Sequence, residues 1–488
     1  MKWLNSSFLL LLLSTQSLAF EHFITRKGHQ LFDGDQEFRF AGLHAPELHR
    51  IENDAKGTCP HDPRTWGQYF QWPTKDEQTN WIKALAHSGH KAMRIYVLSV
   101  AQPADEACGR ETHILAPLEK GAMPRLNERA MVVYDQMIAL ADQYGLRLIL
   151  PFIDHWQWWG GREQLAAFYA EPQEAFYDVN SQTYKAYQNI IKQVIQRKNT
   201  LTGRHYFDEK AIMAWETGNE LKDSTQPFLE QTVALIHQLA PKQLIVDGNY
   251  LQLNEYAINN PYVDIISNHF YTTNNNNKPE TIKQDLQKIA GRKVYMVGEF
   301  GLTDTSILND IMQTAVHYEY KGAKAAGAFI WGFRGHRHNG GFYFHKEYTG
   351  HYSYRLPGFI DAKDNDEINV VNLVRLSQAQ MAGLDQVPAL PIPEAPILRA
   401  IINLTNIQWL GAPLGQHYRI ERSQNPEDKW HVIGENISDG KQHFDPAVDS
   451  LFADSAPLIN GRTYYYRVIA VNDSGESQPS NIQPFTVN

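Results

Sequence analysis

A chain of 488 residues with 43% hydrophobic and 20% charged side chains has the composition of a folded, water-soluble protein, long enough for one large and one small domain. Its formal net charge of −9, with Lys and Arg dispersed rather than clustered, argues against nucleic acid as a partner. An uncharged polymer suits the surface better, and the 12% share of aromatic residues suits it too.

The first residues, "MKWLNSSFLLLLLSTQSLA", carry Lys2, a short apolar run from Phe8 to Leu13, and small residues at Ser17-Leu18-Ala19. That is the grammar of a secretory signal peptide over residues 1–19, and its apolar run is far below the roughly 20 residues of a membrane span. No later segment is long and apolar enough either. The mature chain is therefore expected outside the cytoplasm, extracellular or periplasmic, as a monomer. The two cysteines, Cys59 and Cys108, fall in polar loops, where an oxidising compartment favours a disulfide between them over free thiols. Two cysteines at this spacing are too few for zinc.

From residue 37 onward, β-rich apolar runs alternate with helical segments through eight rounds. The strands read 37–43, 92–97, 147–152, 212–216, 244–248, 264–270, 294–300 and 327–333. Tyr184, Tyr187, Ile190, Ile191, Val194 and Ile195 keep one helical face, as do Leu229, Thr232, Val233, Ile236 and Ala240 in the next round. The fifth round has only a short helix near 254–259. Eight such rounds imply an α/β fold, a (β/α)8 TIM barrel over residues 20–385 with its reacting groups at the strand C-termini. A proline-rich linker follows over 386–396. Residues 397–488 alternate strands and turns without helical period, which predicts a small all-β sandwich. It resembles a fibronectin type III domain, with Trp409 as the core tryptophan and Tyr464 as the tyrosine corner.

Glu220 closes "AWETGNE" after strand four, and Glu299 sits in "MVGEFG" at the end of strand seven. Either alone is an ordinary strand-end carboxylate. Together they face one mouth from opposite sides, the arrangement a retaining glycosidase needs at about 5 Å. The barrel resembles glycoside hydrolase family 5, in the clan of retaining (β/α)8 glycosidases, and within it the β-mannanases. The resemblance rests on "FRFAGLHAPEL", Arg94 of "AMRIYV", Asn219-Glu220, His269 and Tyr271 of "SNHFY", Glu299, and Trp331 of "FIWGF". It implies Glu220 as acid/base and Glu299 as nucleophile, with Asn219 on the sugar 2-hydroxyl and Trp331 as a stacking floor. Arg94 and Tyr271 should lower the Glu299 pKa, and His269 should orient Glu220 or a sugar hydroxyl. The loops "LPFIDHWQWWGG" and "FRGHRHNGGFYFHKE" resemble those of mannanase-like members, although Asp154-His155 stands where many carry paired asparagines.

The implied function is two-step hydrolysis of a β-linked polysaccharide or oligosaccharide, foremost β-1,4-mannan, without cofactor or metal. A β-1,4-glucanase of the same family is the alternative, and a catalytically silent carbohydrate-binding protein is the alternative of another class. Supporting contacts are expected from His155, Trp156, Trp158 and His336. Trp159 belongs to the same loop cluster, and Trp66 and Trp72 are placed on the cleft side of the loop after strand one. His336, His338, His345 and His351 crowd sixteen residues, but no acidic ligand pattern accompanies them, so a metal is not assigned.

Overall fold

Eight short apolar segments form one parallel sheet in the computed structural model, which describes residues 20–64, 68–360, 366–427 and 429–487. The proposed signal segment and Trp66 lie outside the described residues. The strands are β1 (Phe40–His44), β2 (Ala92–Arg94), β3 (Arg147–Pro151), β4 (Ile212–Glu216), β5 (Leu244–Asp247), β6 (Ile265–Phe270), β7 (Val294–Gly301) and β8 (Ala325–Trp331). Ladders link consecutive strands from β2 to β8, and β8 pairs with β1. The last seam is closed where the Ala45 N–H donates to the Arg94 carbonyl at 3.1 Å and the Tyr96 N–H to the Pro46 carbonyl at 3.4 Å.

Helices α1 (Lys75–His87), α2 (Glu128–Tyr144), α3 (Gln182–Ile195), α4 (Gln226–Leu239), α5 (Glu255–Asn259), α6 (Pro279–Ile289), α7 (Thr305–His317) and α8 (Glu367–Met381) surround the barrel. Local chemistry starts several of them: the side chains of Thr74, Asn127, Ser181 and Thr225 each accept a backbone N–H of the first turn. The expected apolar faces of α3 and α4 are buried residue for residue. The fifth round is short, as its sequence suggests.

Several expected strand boundaries differ, and the second strand ends at Arg94 rather than at residue 97. The first expected strand is split: Gln36–Glu37 completes an N-terminal meander with Ile24–Lys27 and Gln30–Asp33, and the barrel strand begins only at Phe40. The sequence hides that break because Phe38, Arg39 and Phe40 carry a strand-like alternation straight across it. The eighth strand starts two residues earlier than expected, at Ala325, and stops at Trp331. The meander contributes Ile24 and Leu31 to the same apolar cluster as Phe40, Ile149, Met213 and Met296, and so plugs the barrel floor.

Residues 388–396 have no regular structure, as a proline-rich stretch should. Beyond them lie a two-stranded sheet (Ile397–Leu398 with Trp409–Leu410) and a five-stranded antiparallel sheet built around Thr463–Asn472. Trp409 is fully buried among Tyr418, Ile420, Tyr466 and Val468. The Tyr464 hydroxyl accepts the backbone N–H of Ile459 at 3.3 Å. This all-β unit rests on helix α1 and the loop after β8: Asn80 donates to the Gly411 carbonyl at 2.6 Å, and Arg355 donates to Gln442 at 3.1 Å.

Cys59 and Cys108 are bonded, with Cα atoms 5.8 Å apart. The bridge spans 49 residues, a loop worth about 4 kcal/mol in the chain-entropy account. Replacing both cysteines by alanine should lower the denaturation midpoint measurably in urea, whereas a midpoint equal to that of the oxidised wild type would show that the crosslink contributes nothing.

Candidate active site

Alternation along a strand sends successive side chains to opposite faces, so residues at a strand end reach the barrel mouth only if their parity is right. In β6 it is: Ile265 faces the lumen, Ile266 and Phe270 face the helices, and His269 falls inward. In β7 it is not. Val294 and Met296 pack in the lumen cluster while Tyr295 and Val297 pack against the helices, so unbroken alternation would turn Glu299 outward. The pairing with β6 steps from Asn268–Val297 directly to His269–Glu299, leaving Gly298 unpaired as a bulge. Glu299 thereby joins the inner face and Phe300 the outer one. Only glycine fits there, because a Cβ at 298 would lie 2.2 Å from the Ser267 hydroxyl.

Glu220 is placed by another backbone irregularity. Its φ of 51° lies in the left-handed region, which costs a non-glycine residue about 1 kcal/mol or more. Flanking hydrogen bonds hold it, from the Asn219 N–H to the Ile153 carbonyl and from the Leu221 N–H to the Gly248 carbonyl, both 2.9 Å.

At the centre lies Arg94, fully buried at the end of β2. It donates to Glu216 in a fork of 2.7 and 3.1 Å, to Asn219 Oδ1 at 2.9 Å, and to Glu299 Oε2 at 3.1 Å. Its Nη1 also donates to His44 Nε2 at 2.9 Å. Burial opposes the Arg94 charge, but Glu216 and Glu299 outweigh it and hold the guanidinium above its ordinary value. His44 is kept neutral, its pKa far below the usual by burial and by Arg94. It therefore accepts from the guanidinium and adds no second positive charge.

Glu299 takes a further hydrogen bond from the Tyr271 hydroxyl. Across the mouth, Glu220 accepts from the Trp156 indole at 2.6 Å through Oε2, and its Oε1 lies 2.9 Å from His269 Nδ1. One carboxylate oxygen of each glutamate and a ring nitrogen of His269 all lie within 4.8 Å of one another. Burial pushes both carboxyls up, each to about 7, and is opposed at Glu220 by Trp156 and Arg94. The expected lowering at Glu299 is thus corrected: His269, Arg94 and Tyr271 pull it down, but loss of solvent and the neighbouring Glu220 push harder. Two such groups titrate as a pair, and of the two it is Glu299 that the Arg94 guanidinium contacts. His269, lowered to about 4 by burial, is neutral beside them.

Asn219 is fixed at both ends of its amide, accepting from Arg94 and donating to Asp154 at 3.0 Å. Asp154 also accepts from the Tyr96 hydroxyl at 2.7 Å, and burial raises its carboxyl to about 7. The Asp154 that departs from the paired asparagines is thus a buried support for Asn219.

Around these groups opens a cleft of about 1010 Å³. Its walls include His155, Trp156, Trp158, Tyr250, Tyr271 and Trp331, and both glutamates line it. His155 sits at the rim, 3.3 Å from Arg162 and 3.4 Å from the Tyr177 hydroxyl. Trp156 is 43% exposed and is free to meet a sugar face.

Three expectations fail. Trp159 is buried in an aromatic cluster with Phe70 and Tyr96. Trp72 turns from the cleft to donate to Glu111 at 2.5 Å and pack edge-on against His113. His336 lies outside the cleft, buried between Asn80 at 3.0 Å and Asp439 of the all-β unit at 3.1 Å. Of its neighbours, His338 contacts Glu77 and His351 contacts Thr349, leaving His345 as the histidine of that run that lines the cleft. Loop sequences give no parity rule, so a run of aromatic or histidine residues does not reveal which members face substrate.

The sequence reading missed His44, Tyr96, Glu216, Tyr250 and Glu347, and it named Asp154 only as a departure from the paired asparagines. Glu216 had a visible signal: it ends β4 four residues before Glu220, where a second strand-end carboxylate next to a buried Arg is expected to pair with it.

Residues 74–289 match the family model described as GH family 5 beta-mannosidase-like. That stretch holds Arg94, Asn219, Glu220, His269 and Tyr271, while Glu299 and Trp331 lie beyond it. The chain is 32% identical over 164 residues to mannan endo-1,4-beta-mannosidase 5 of Solanum lycopersicum, covering 29% of this chain and 39% of that protein. It is 33% identical over 130 residues to mannan endo-1,4-beta-mannosidase 7 of Arabidopsis thaliana, covering 26% of this chain and 30% of that one. The chain thus spans about two fifths or less of the length of these curated relatives. In fold it is similar to the endo-beta-1,4-mannanase of Thermotoga petrophila, with a TM-score of 0.56 at 16% identity over 93% of this chain and 99% of that one. The same TM-score of 0.56, at 17% identity over 75% and 99%, relates it to the glycoside hydrolase family 5 mannosidase of Rhizomucor miehei.

The raised Glu220 carboxyl makes a signed statement about stability. The folded chain holds this proton up to about 7, whereas an ordinary glutamate releases it near 4.5, so the group disfavours the fold increasingly as pH rises between those values. Glu220→Gln should therefore show a flatter profile of urea midpoint against pH, gaining on wild type between about pH 4.5 and 7. Parallel profiles would contradict the assigned proton.

Proposed function

We propose that this chain is a secreted retaining β-glycoside hydrolase acting on β-1,4-mannan. The observation that carries the reading is the approach of Glu220 and Glu299 within 4.8 Å, with Arg94 hydrogen-bonded to Glu299 of the two. An inverting enzyme needs roughly 6.5–9.5 Å to seat a water between its carboxylates, and a retaining one about 5 Å.

The steps follow from which oxygen holds the proton. A sugar bound on Trp331 presents its anomeric carbon to Glu299, whose oxygen attacks while Glu220 gives its proton to the departing glycosidic oxygen. A glycosyl ester forms on Glu299 and the leaving chain departs as an alcohol. With Glu299 neutralised as an ester, the nearby negative charge that opposed ionisation of Glu220 is gone, and Glu220 becomes a base. It takes a proton from water, the water oxygen attacks the anomeric carbon, and Glu299 is released as a carboxylate. Configuration is inverted twice and so retained. Asn219, held between Arg94 and Asp154, keeps one amide N–H for the 2-hydroxyl.

The mannan assignment draws on the two named relatives, both mannan endo-1,4-beta-mannosidases by name, and on the beta-mannosidase-like family model. Export is supported by the paired Cys59 and Cys108, since such bridges persist in oxidising compartments. We assign residues 20–385 to the catalytic barrel, 386–396 to a linker and 397–488 to a fibronectin type III-like domain. The Trp409 core and the Tyr464 hydrogen bond support the last.

Reducing-sugar release from mannan, glucomannan, cellulose and xylan tests substrate and activity together. Release from mannan foremost is expected; binding without release from any of them would make the protein a carbohydrate binder. Glu299→Ala should abolish turnover, and added azide should restore cleavage of an aryl glycoside with formation of the inverted sugar azide. Glu220→Ala should slow polysaccharide hydrolysis by about 10²- to 10⁴-fold while largely sparing bond cleavage in substrates with good leaving groups. Equal losses on both substrate types would remove Glu220 from the acid/base role.

A further inference from the structure

The bridge between Cys59 and Cys108 stands beside a second link between the same two loops. Asp62, three residues past Cys59, is buried, and its N–H donates to the Cys59 carbonyl at 3.1 Å. Arg110, two residues past Cys108, donates to Asp62 Oδ2 at 2.7 Å and to Asp105 at 2.9 Å. The Asp62 carboxylate is thus fixed by the loop after β1 and the loop after β2 at once. Arg64 forks onto it, Nε donating to Oδ1 at 2.9 Å and Nη2 to Oδ2 at 2.6 Å. Arg64 foremost, and Arg110 with it, holds the Asp62 carboxyl well below its ordinary value, so the fork is an ion pair.

The remaining arm of that guanidinium reaches toward the cleft. Arg64 Nη1 donates to the Gln157 carbonyl at 2.5 Å and lies 3.4 Å from the Trp158 carbonyl, both in the loop after β3. Gln157 directly follows Trp156 and opens a turn in which the Gly160 N–H donates to the Gln157 carbonyl at 2.9 Å. Further along the loop, side chains do the holding: the Trp158 indole donates to Glu52 at 3.0 Å, and Trp159 is buried in the aromatic cluster. Trp156 has no such seat. Its ring is 43% exposed, meets His155 edge-on, and donates to Glu220 Oε2 at 2.6 Å. Packing does little to fix a ring so open to water, so its direction depends on the backbone beside it. A planar guanidinium can hold a carboxylate with two donors and a carbonyl with a third, which the single ammonium of a lysine cannot do.

We propose that Arg64 is a positioning residue: by clamping the backbone after Trp156 to the disulfide-anchored Asp62, it sets the Trp156 indole against Glu220 and so aims the group that protonates the leaving oxygen. The inference rests on the glycosidase reading of the cleft. Arg64 is not among the cleft walls and acts through Trp156, which is. The Trp156 donor favours the charged form of Glu220 against its burial, so loss of that donor raises the carboxyl further. Glu299, His269, Arg94, Asp154, Tyr250 and Tyr271 also face Glu220, whereas the arms of Arg64 go to Asp62, Gln157 and Trp158.

The full chain carrying Arg64→Ala or Arg64→Lys tests this, with circular dichroism reporting the fold. Should the alanine variant fail to fold, the lysine variant carries the test, because it keeps a charge beside Asp62 while giving up the carbonyl. In each, kcat/KM on oligosaccharides of the polysaccharide that wild type cleaves should fall about tenfold, as for a reacting group moved by a fraction of an ångström. An aryl glycoside of the same sugar with a good leaving group needs no proton and should keep most of its rate. The basic limb of the kcat/KM profile on the oligosaccharide should move to higher pH, the sign expected when Glu220 loses a donor. Trp156→Phe removes the indole N–H directly and should reproduce both effects, and adding Arg64→Ala to it should change neither further. Equal losses on both substrates with an unmoved limb would give Arg64 a structural role only and overturn the proposal, as would unchanged kinetics or effects that add in full in the double variant. Any of these in variants of an active wild type sinks the positioning role alone. A wild type that cleaves no glycoside sinks the glycosidase reading and this inference with it.

Discussion

Arg94 has no exposed surface, and it touches Glu216, Glu299, Asn219 and His44 at once. Burying a guanidinium costs several kcal/mol in lost hydration, and the cost is offset only because two carboxylates and two neutral acceptors converge on it. The positions of four strand ends follow from this single requirement. Glu216 meets the charge through a two-pronged contact, which leaves Glu299 with one guanidinium bond. Without Glu216, Glu299 would be the sole carboxylate in contact with the guanidinium. The two acids divide their places accordingly: Glu299 lines the cleft, and Glu216 does not.

Regular secondary structure brings Glu220 and Glu299 near each other but does not aim them. Each depends on a local departure from regularity, the unpaired Gly298 for Glu299 and a left-handed backbone for Glu220. Departures of this kind cost stability and persist where neighbours leave the chain no alternative. Here the neighbours are backbone hydrogen bonds from the adjoining strands, so the rest of the barrel stabilises the geometry of its own mouth.

The barrel was legible from the sequence because its signals are periodic: apolar strands, amphipathic helices, and α3 and α4 faces that could be named residue by residue. The pairing of Glu220 with Glu299 was legible because both stand at strand ends in short polar runs, "GNE" and "GEFG". Loop residues were not. Trp156 and Trp159 are three positions apart in one aromatic run, yet one rims the cleft and the other is buried. His336 and His345 share a loop, and only the second reaches the cleft. Nothing in composition separates such neighbours, since their direction is decided by tertiary contacts to Asn80, Asp439, Glu52 and Asp54. Charge balance was equally hidden: Arg94 beside Glu299 suggests a lowered carboxyl, and only the full burial of the pair reverses the sign.

The corrected position of His336 bears on how the two folded units relate. Asp439 of the all-β unit faces His336, its Gly440 carbonyl and Gln442 accept from Arg355, and Gly411 accepts from Asn80. Those three barrel residues are themselves buried. Cutting the chain at the prolines would strip partners from an imidazole, a guanidinium and an amide together, and expose the apolar faces of Phe342 and Phe359 that pack beside them. The proline-rich segment therefore joins two units that share buried polar contacts, and the loop that carries both His336 and His345 links the all-β unit to the wall of the cleft.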